Sequence, residues 1–205
     1  CAPSIRFWSA RRYDDTATQT VVKVHHTTET SGRYNKCLID PRAESFVAVR
    51  QHCTALRDWC YTHSLPWAQN GARILPAAEF LDFNSHFLRQ KKIGDALQEE
   101  FFAEFPSLKR QAKQDLNGLY NEADYPGIET LRSKFGIEVV YFPVPSANDF
   151  RVAIDPKDVK RIQAQITEQV ELAAKEAMRD LWDRLYSATH KMSAALTDPE
   201  KRFHD

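Results

Sequence analysis

The residues best suited to nucleophilic or metal chemistry in this sequence are its cysteines and the histidines near them. Cys53 and Cys60 are seven residues apart, which places them on one face of a predicted helix. That face also carries three apolar residues, Phe46, Val49 and Leu56. Packed core thiols therefore explain the pair better than a nucleophile or a metal site. His52 and His63 lie on the flanks of this face and would need ligands from elsewhere to bind zinc.

Other residues that could do acid–base or metal chemistry are better explained as ordinary polar residues. His25 and His26 are adjacent, and adjacent side chains in a strand point to opposite faces, so the two would not chelate together. Neighbouring carboxylates such as Asp14 and Asp15 are expected to be solvated charge. The chain has no GxSxG, HExxH, GxxxxGK[ST] or GxGxxG motif. We therefore predict a protein that is not an enzyme and that binds no metal or cofactor.

Two basic segments, RQKK and KRQAK, are the candidates for contact with phosphate groups. They supply six cationic side chains: Arg89, Lys91, Lys92, Lys109, Arg110 and Lys113. The whole chain balances 28 Lys and Arg against 28 Asp and Glu, whereas proteins that neutralise phosphates usually show a basic excess or a basic face. Nucleic acid is therefore an alternative partner and not the favoured one.

Composition and cysteine usage predict a cytoplasmic protein. The 205 residues, 42% of them hydrophobic, suffice for one domain with a buried core. No apolar run approaches the roughly 18 to 20 residues that cross a bilayer, and four cysteines without a CxxC pair suggest reduced thiols. The alternative is a lipoprotein with its lipid on Cys1, although SIRFW follows almost at once as a strand candidate instead of a polar tether.

Three Asp-Pro pairs mark predicted helix starts at residues 41, 156 and 199. An aspartate can cap the first amides of a helix, and proline suits the first helical position because its missing N–H would be unpaired there. A helix that opens at Pro199 has almost no chain left before Asp205, and the first residue is not methionine. We therefore expect the chain to be a fragment or a processed part of a longer protein.

The patterning predicts long helices joined by a small β element. Helices are predicted at about 41–63, at about 77–121 with an interruption at Pro106, and at about 156–195. APSIRFWSARRY and TVVKVHH read as strands, and the connection at about 122–155 contains a short helix and the apolar, strand-like IEVVYFPVP. The predicted fold is one mainly α domain with a small β element (α+β), built as an elongated antiparallel helical hairpin or bundle.

On a helical wheel drawn at about 100° per residue, six phenylalanines of the predicted long helix fall within one arc: Phe80, Phe83, Phe87, Phe101, Phe102 and Phe105. We interpret this stripe as core. Gly94 falls in the same arc, which indicates close approach by another backbone or a large side chain.

The last helix carries a stripe of complementary volume, which suggests antiparallel packing of the two long helices. The stripe is β-branched at its beginning and alanine-rich in its middle: Val159, Ile162, Ile166, Val170, Ala173, Ala177, Leu181, Ala188 and Met192. Met178 and Trp182 lie off the stripe. These two side chains could face the first long helix or a second chain.

The order of these features resembles an uncharacterised bacterial and phage domain family. The resemblance lies in IRFWSARR, KCLIDPRAESFVAVRQHC, GARILPAAEF, EFPSL and the terminal DPEKRFHD. Genes for that family often lie beside those for a MoxR/CobS-like AAA+ ATPase and a von Willebrand-type protein. The resemblance implies a phage or mobile-element setting, with the host cytoplasm as location, and it carries over no catalytic residue.

These features together predict a non-enzymatic protein that acts by protein–protein interaction, either as a homo-oligomer or with a partner such as an AAA+ ATPase. The candidate contact is the apolar edge segment Val139, Val140, Tyr141 and Phe142, because such an edge can pair with another chain. A nucleic-acid-associated accessory factor that uses the two basic segments is one alternative. A membrane-active helical protein with a β tongue is the other.

Overall fold

The computed structural model describes residues 1–67, 71–142 and 156–197. Over these residues most of the chain is helical, in α1 (Asp15–His25), α2 (Glu44–Thr62), α3 (Phe80–Leu116), α4 (Ile128–Ser133) and α5 (Pro156–Thr197). Six short strands pair as three two-stranded sheets, β1 (Ala2–Arg6) with β6 (Gly136–Val140), β2 (Arg11–Tyr13) with β3 (Asn35–Cys37), and β4 (Leu65–Pro66) with β5 (Arg73–Ile74). The predicted fold class, mainly α with a small β element, is confirmed.

The chain forms two compact units that are interleaved along the sequence. The first unit contains Cys1–Pro3, Trp59–Phe83 and the described residues from Val139 onward, and the second contains Ser4–Asp58 and Asn84–Glu138. Helices α2 and α3 contribute residues to both units. The single-domain organisation stays a prediction.

The phenylalanine stripe of α3 is core, as predicted, for five of its six members. Those five side chains are at most 6% exposed: Phe83, Phe87, Phe101, Phe102 and Phe105. In the second unit the ring of Phe101 lies 5.6 Å from that of Phe46 on α2, and Phe105 meets Trp8 edge-on at 5.7 Å. Each buried ring contributes roughly 1.5 to 3 kcal/mol to folding. Phe80, at the start of the helix, is 39% exposed.

The prediction for the complementary stripe of α5 is correct only in part. Ala173 and Ala177 are buried, and α5 packs on β4 within the first unit. Leu181 and Met192 were expected on the same buried stripe but are 43% and 65% exposed. The predicted buried stripe is therefore too long. The hairpin pairing of the two long helices stays a prediction.

Pro106 does not interrupt α3, contrary to the prediction. The helix runs from Phe80 to Leu116 with Pro106 inside it. An interior proline costs about 3 kcal/mol or more, whereas the rings of Phe101, Phe102 and Phe105 beside it are buried at roughly 1.5 to 3 kcal/mol each. Ring burial outweighs the proline penalty, so the helix continues.

The segment TVVKVHH is helical and not a strand. The side chain of Asp14 caps α1 by accepting a hydrogen bond from the amide of Ala17 at 2.9 Å. The fully buried Thr18 donates to the Asp14 carbonyl at 2.8 Å and accepts from the amide of Tyr34 at 3.0 Å. These bonds stabilise a helix where β-branched residues favour a strand. His25 and His26 therefore lie at a helix end.

The predicted helix starts at the Asp-Pro pairs have different outcomes. Pro156 is the first residue of α5, as expected. The helix expected from residue 41 begins at Glu44 instead, because the Asp40 side chain accepts from the amide of Arg42 at 2.9 Å and closes a turn first. The start expected at residue 199 lies outside the described residues, as do the prolines of PVP after Phe142.

A buried lysine organises the small β2–β3 sheet in the second unit. Lys36 of β3 is 4% exposed, and its ammonium donates to Asp14 Oδ2 at 2.7 Å and to the Leu119 carbonyl at 2.7 Å, with Asp124 Oδ2 at 2.8 Å. All three ammonium protons thus have acceptors. Burial opposes the charge of Lys36, but the two carboxylates outweigh it and the pKa of Lys36 is raised. The hydrogen bond from Lys36 lowers the pKa of Asp14.

We expect Lys36→Met to destabilise the protein by about 3 to 5 kcal/mol, because it leaves two neighbouring carboxylates without their cation. Urea unfolding at pH 7 measures the change. Since the folded pKa of Asp14 is depressed, its contribution in the natural protein is present at neutral pH and is lost as pH falls through that pKa. In the variant, acidification to about pH 4 should instead recover stability by protonating the pair.

The control for this substitution is Lys23→Met, at an exposed lysine on α1, which should change stability by less than about 0.5 kcal/mol. A loss below about 1 kcal/mol in Lys36→Met would show that the buried ion cluster is unimportant to the fold.

Gly94 is a point of close approach in α3, as its position in the stripe predicted. A Cβ built there would lie 2.3 Å from Ile137 Cδ1 and 3.0 Å from His52 Cδ2. Ile137 is 1% exposed and His52 donates from Nε2 to the Gln90 carbonyl at 2.9 Å, so neither neighbour is free to move away. The glycine is required by packing and not by its backbone angles.

Gly94→Ala should therefore destabilise the protein by about 1 to 3 kcal/mol, although alanine gains about 1 kcal/mol of helix propensity. Gly118→Ala is the matched control, since nothing lies within 4 Å of its Cβ position. Thermal or urea unfolding of both variants compares them directly. Equal stabilities for the two would contradict the packing explanation.

Candidate protein-interaction surface

Helix α5 exposes a continuous row of large apolar side chains in its C-terminal half. Seven of them are between 43% and 71% exposed: Met178, Leu181, Trp182, Leu185, Tyr186, Met192 and Leu196. We call these residues, with Ala188, Thr189 and Ala195 between them, the α5 face. An exposed apolar surface of several large side chains is unusual on a monomer, which makes this row the candidate interaction surface.

The spacing of the α5 face is that of a coiled-coil seam. Positions 178, 182, 185, 189, 192 and 196 alternate steps of four and three residues, which keeps them on one side of a helix. At about 100° per residue, the buried Ala173 and Ala177 lie roughly 100° to 140° around the helix from the centre of this seam. The helix thus packs on its own unit with one side and presents an apolar side away from it.

Arg184 attaches this part of α5 to the end of α2 within the first unit. Its guanidinium donates to the carbonyls of Tyr61 at 3.0 Å and Ser64 at 3.1 Å, and also to that of Thr62. Asp180, one turn earlier, holds the Arg184 Nε at 2.7 Å. The last carbonyls of a helix lack intrahelical partners and carry partial negative charge, so a guanidinium is well suited to them.

A second arginine binds the same group of carbonyls. Arg73 of β5 donates to the carbonyls of Tyr61 at 2.8 Å and Ser64 at 2.7 Å, and its Nε donates to Ser64 Oγ at 3.0 Å. Its guanidinium also lies 4.5 Å from the Tyr61 ring centroid. Burial lowers the pKa of Arg73, and the charge of Asp180 partly offsets this effect. A shallow recess of about 410 Å³ lies at these residues, and the two arginines that line it cap the C-terminal end of α2.

The predicted contact segment at the end of β6 is partly exposed. Val139 and Val140 belong to β6, which pairs with β1 in a two-stranded sheet. Val140, Tyr141 and Phe142 are 59%, 37% and 44% exposed. The Tyr141 ring meets Phe80 edge-on at 5.0 Å, and burial raises the pKa of its hydroxyl. A role for this segment in binding stays a prediction.

The six cationic side chains predicted to contact phosphate lie along α3 in the second unit, and two of them already pair with carboxylates. Lys91 contacts Asp95 at 2.9 Å, and Lys109 forms an ion pair with Glu122. Three of the other four contact neutral groups: Arg89 contacts His86 Nδ1 at 3.0 Å, Arg110 contacts Ser107 Oγ at 3.3 Å, and Lys113 lies 5.9 Å from the Tyr120 ring. Lys92 is exposed. Contact with phosphate stays a prediction.

The two cysteines on α2 are core residues. Cys53 and Cys60 are 0% exposed and free. Burial raises the pKa of the Cys60 thiol to about 12 and also raises that of Cys53, which Arg57 partly offsets. Thiols with raised pKa values are poor nucleophiles at neutral pH. Within the described part of the chain, no group of three or more His, Cys, Asp or Glu is placed to hold a metal ion.

Comparison with known proteins identifies no relative: no family model, curated protein or solved structure matches this chain. Among the described helices, none has both the length and the apolar character needed to span a membrane.

The α5 face was only partly visible in the sequence. The sequence pattern places Trp182 and Met178 off the predicted buried stripe, whereas it places Leu181 and Met192 on that stripe. The signal that was missed is the regular alternation of three and four residues from Met178 to Leu196, which indicates a second apolar side on the same helix.

We expect Arg184→Ala to destabilise the protein by about 1 to 3 kcal/mol, because several carbonyls at the α2 end lose their donor. Urea unfolding gives the energy, and amide hydrogen exchange should speed up in β4 and α5. Arg179→Ala, on the exposed side of the same helix, is the control and should change little. An unchanged exchange pattern in Arg184→Ala would mean that this residue does not hold α5 in place.

Proposed function

We propose that this protein is a non-enzymatic interaction protein that works by binding another polypeptide chain on the α5 face. The observation that carries the proposal is the row of seven exposed large apolar side chains at coiled-coil spacing. Helices of this kind bind partner helices through residues at i, i+3, i+4 and i+7.

The size and composition of the α5 face suit a stable protein interface. At about 200 Å² for each large side chain, the exposed fractions of the seven residues amount to roughly 800 Å², which is what each partner buries in an interface of standard size. Trp182, Tyr186 and two methionines belong to the residue types that interfaces favour. No charged residue stands on the face between Met178 and Leu196.

The biological setting of this proposal rests on the resemblance alone. A phage or mobile-element origin, and an AAA+ ATPase as one candidate partner, follow from the family that the sequence resembles. The exposed residues Val140, Tyr141 and Phe142 lie in the same unit as α5 and would offer such a partner a second contact. The carboxylates paired with Lys91 and Lys109 leave the nucleic-acid alternative less support.

Photo-crosslinking tests the proposal. A benzophenone amino acid at Leu185 should give a discrete protein adduct in cells of the source organism, and Thr189→Glu in the same chain should abolish it, because it places a carboxylate in the interface. The same probe at the exposed Ser187, on another side of α5, should give none. Adducts with lipid alone, equal adducts at both positions or no adduct would overturn the proposal.

A further inference from the structure

The side chains of the α5 face differ in size between its two ends, and this difference determines what can cover the face. Its N-terminal half carries the large side chains Met178, Leu181, Trp182, Leu185 and Tyr186. Its C-terminal half is mostly small, with Ala188, Thr189, Ser193 and Ala195 around Met192 and Leu196. A partner that fills it must therefore be small where this helix is large and large where it is small.

We propose that the occupant of the α5 face is the α5 face of a second copy of this chain, aligned antiparallel. This proposal rests on the protein-binding function above and names its partner. Reversing a second α5 pairs the N-terminal half of each face with the C-terminal half of the other, so that the largest seam residue, Trp182, does not meet its own copy. A parallel pair in register would set Trp182 against Trp182 and Thr189 against Thr189, with crowding in one layer of the seam and a void in another.

The seam specifies a register for the antiparallel pair. When Trp182 lies opposite Met192 of the second copy, Met178 lies opposite Leu196 and Leu185 opposite Thr189, so every seam position has a seam position as its neighbour. Trp182 then enters a hole lined by Ala188, Met192 and Ala195, where small side chains leave room for the indole and the methionine sulfur can contact its edge.

Area and charge are both compatible with such a dimer. Each copy contributes roughly 800 Å² of exposed face, which is sufficient for a stable dimer interface, and the contact is isologous, so a two-fold axis closes it. The two acidic residues nearby, Asp180 and Asp183, lie away from the seam, and Arg179 flanks it where the second copy presents Ser193. No like charges are thus brought together by the pairing.

Light scattering over a range of concentrations tests the dimer. The chain should have twice its 23.6 kDa mass, and Thr189→Glu should weaken the dimer at least about 100-fold, because it desolvates an unpaired carboxylate in the seam. Ser187→Glu adds the same charge two residues away, off the face, and should leave the dimer unchanged. Both substitutions are at exposed positions, so circular dichroism should show equally folded chains.

Disulfide trapping tests the direction. Met178→Cys mixed with Leu196→Cys should oxidise to a mixed dimer, whereas Met178→Cys alone should stay uncrosslinked. The natural chain should also stay uncrosslinked, because three of its cysteines are buried and Cys37, on β3, is only partly exposed. Crosslinking of Met178→Cys with itself would show a parallel pair and overturn the proposed arrangement.

A monomer at every concentration would also overturn the proposal. If the probe at Leu185 then still gives an adduct with a different protein, the face binds another partner and the protein-binding function stands. If it gives none, both proposals fail.

Discussion

The C-terminal carbonyls of α2 need hydrogen-bond donors from outside their own helix, and the way they obtain them determines the arrangement of the first unit. Arg73 of β5 and Arg184 of α5 both donate to the Tyr61 and Ser64 carbonyls. Two guanidinium groups from distant parts of the chain therefore meet at one helix end. This contact fixes which side of α5 turns inward, and hence which side remains available to a partner.

The second unit depends on ring packing in the same way that the first depends on its arginines. Phe101 has aromatic neighbours from α2 and from the segment after α4, at Phe46 and Phe135. This packing explains why α3 runs through Pro106 and why a glycine is needed at position 94, where Ile137 approaches. Local preferences of single residues are overruled wherever several buried side chains require a continuous helix.

A helix that carries apolar residues on two sides is suited to association. In α5 one side is buried at Ala173 and Ala177, while the other exposes Trp182 and Tyr186. The buried alanines allow close packing within the first unit, and large rings provide the contact area that binding requires. A pairing of two α5 faces would bury the aromatic side without any rearrangement of the side that holds the helix.

Several features follow from the sequence because they depend on residues close together along the chain. Helical periodicity, the Pro156 start and the phenylalanine stripe belong to this class, and the structure agrees with them. The strand predicted at TVVKVHH is wrong because local β preference is overruled by hydrogen bonds of Thr18. Thr18 bonds to Asp14 and to Tyr34, and Tyr34 is 16 positions away. The helix break predicted at Pro106 is wrong because the buried rings beside it, such as Phe101, contact residues that are distant in the sequence.

Only the tertiary structure decided which apolar residues of α5 are covered. Leu181 and Ala177 have similar apolar character and lie near one another on the helix, yet one is exposed and the other buried. Composition and spacing predict that a side of α5 is apolar. Whether that side is buried depends on where β4 and the end of α2 lie against the helix. Those positions are set by hydrogen bonds between residues more than 100 positions apart, such as Arg184 and Tyr61, which no local pattern encodes.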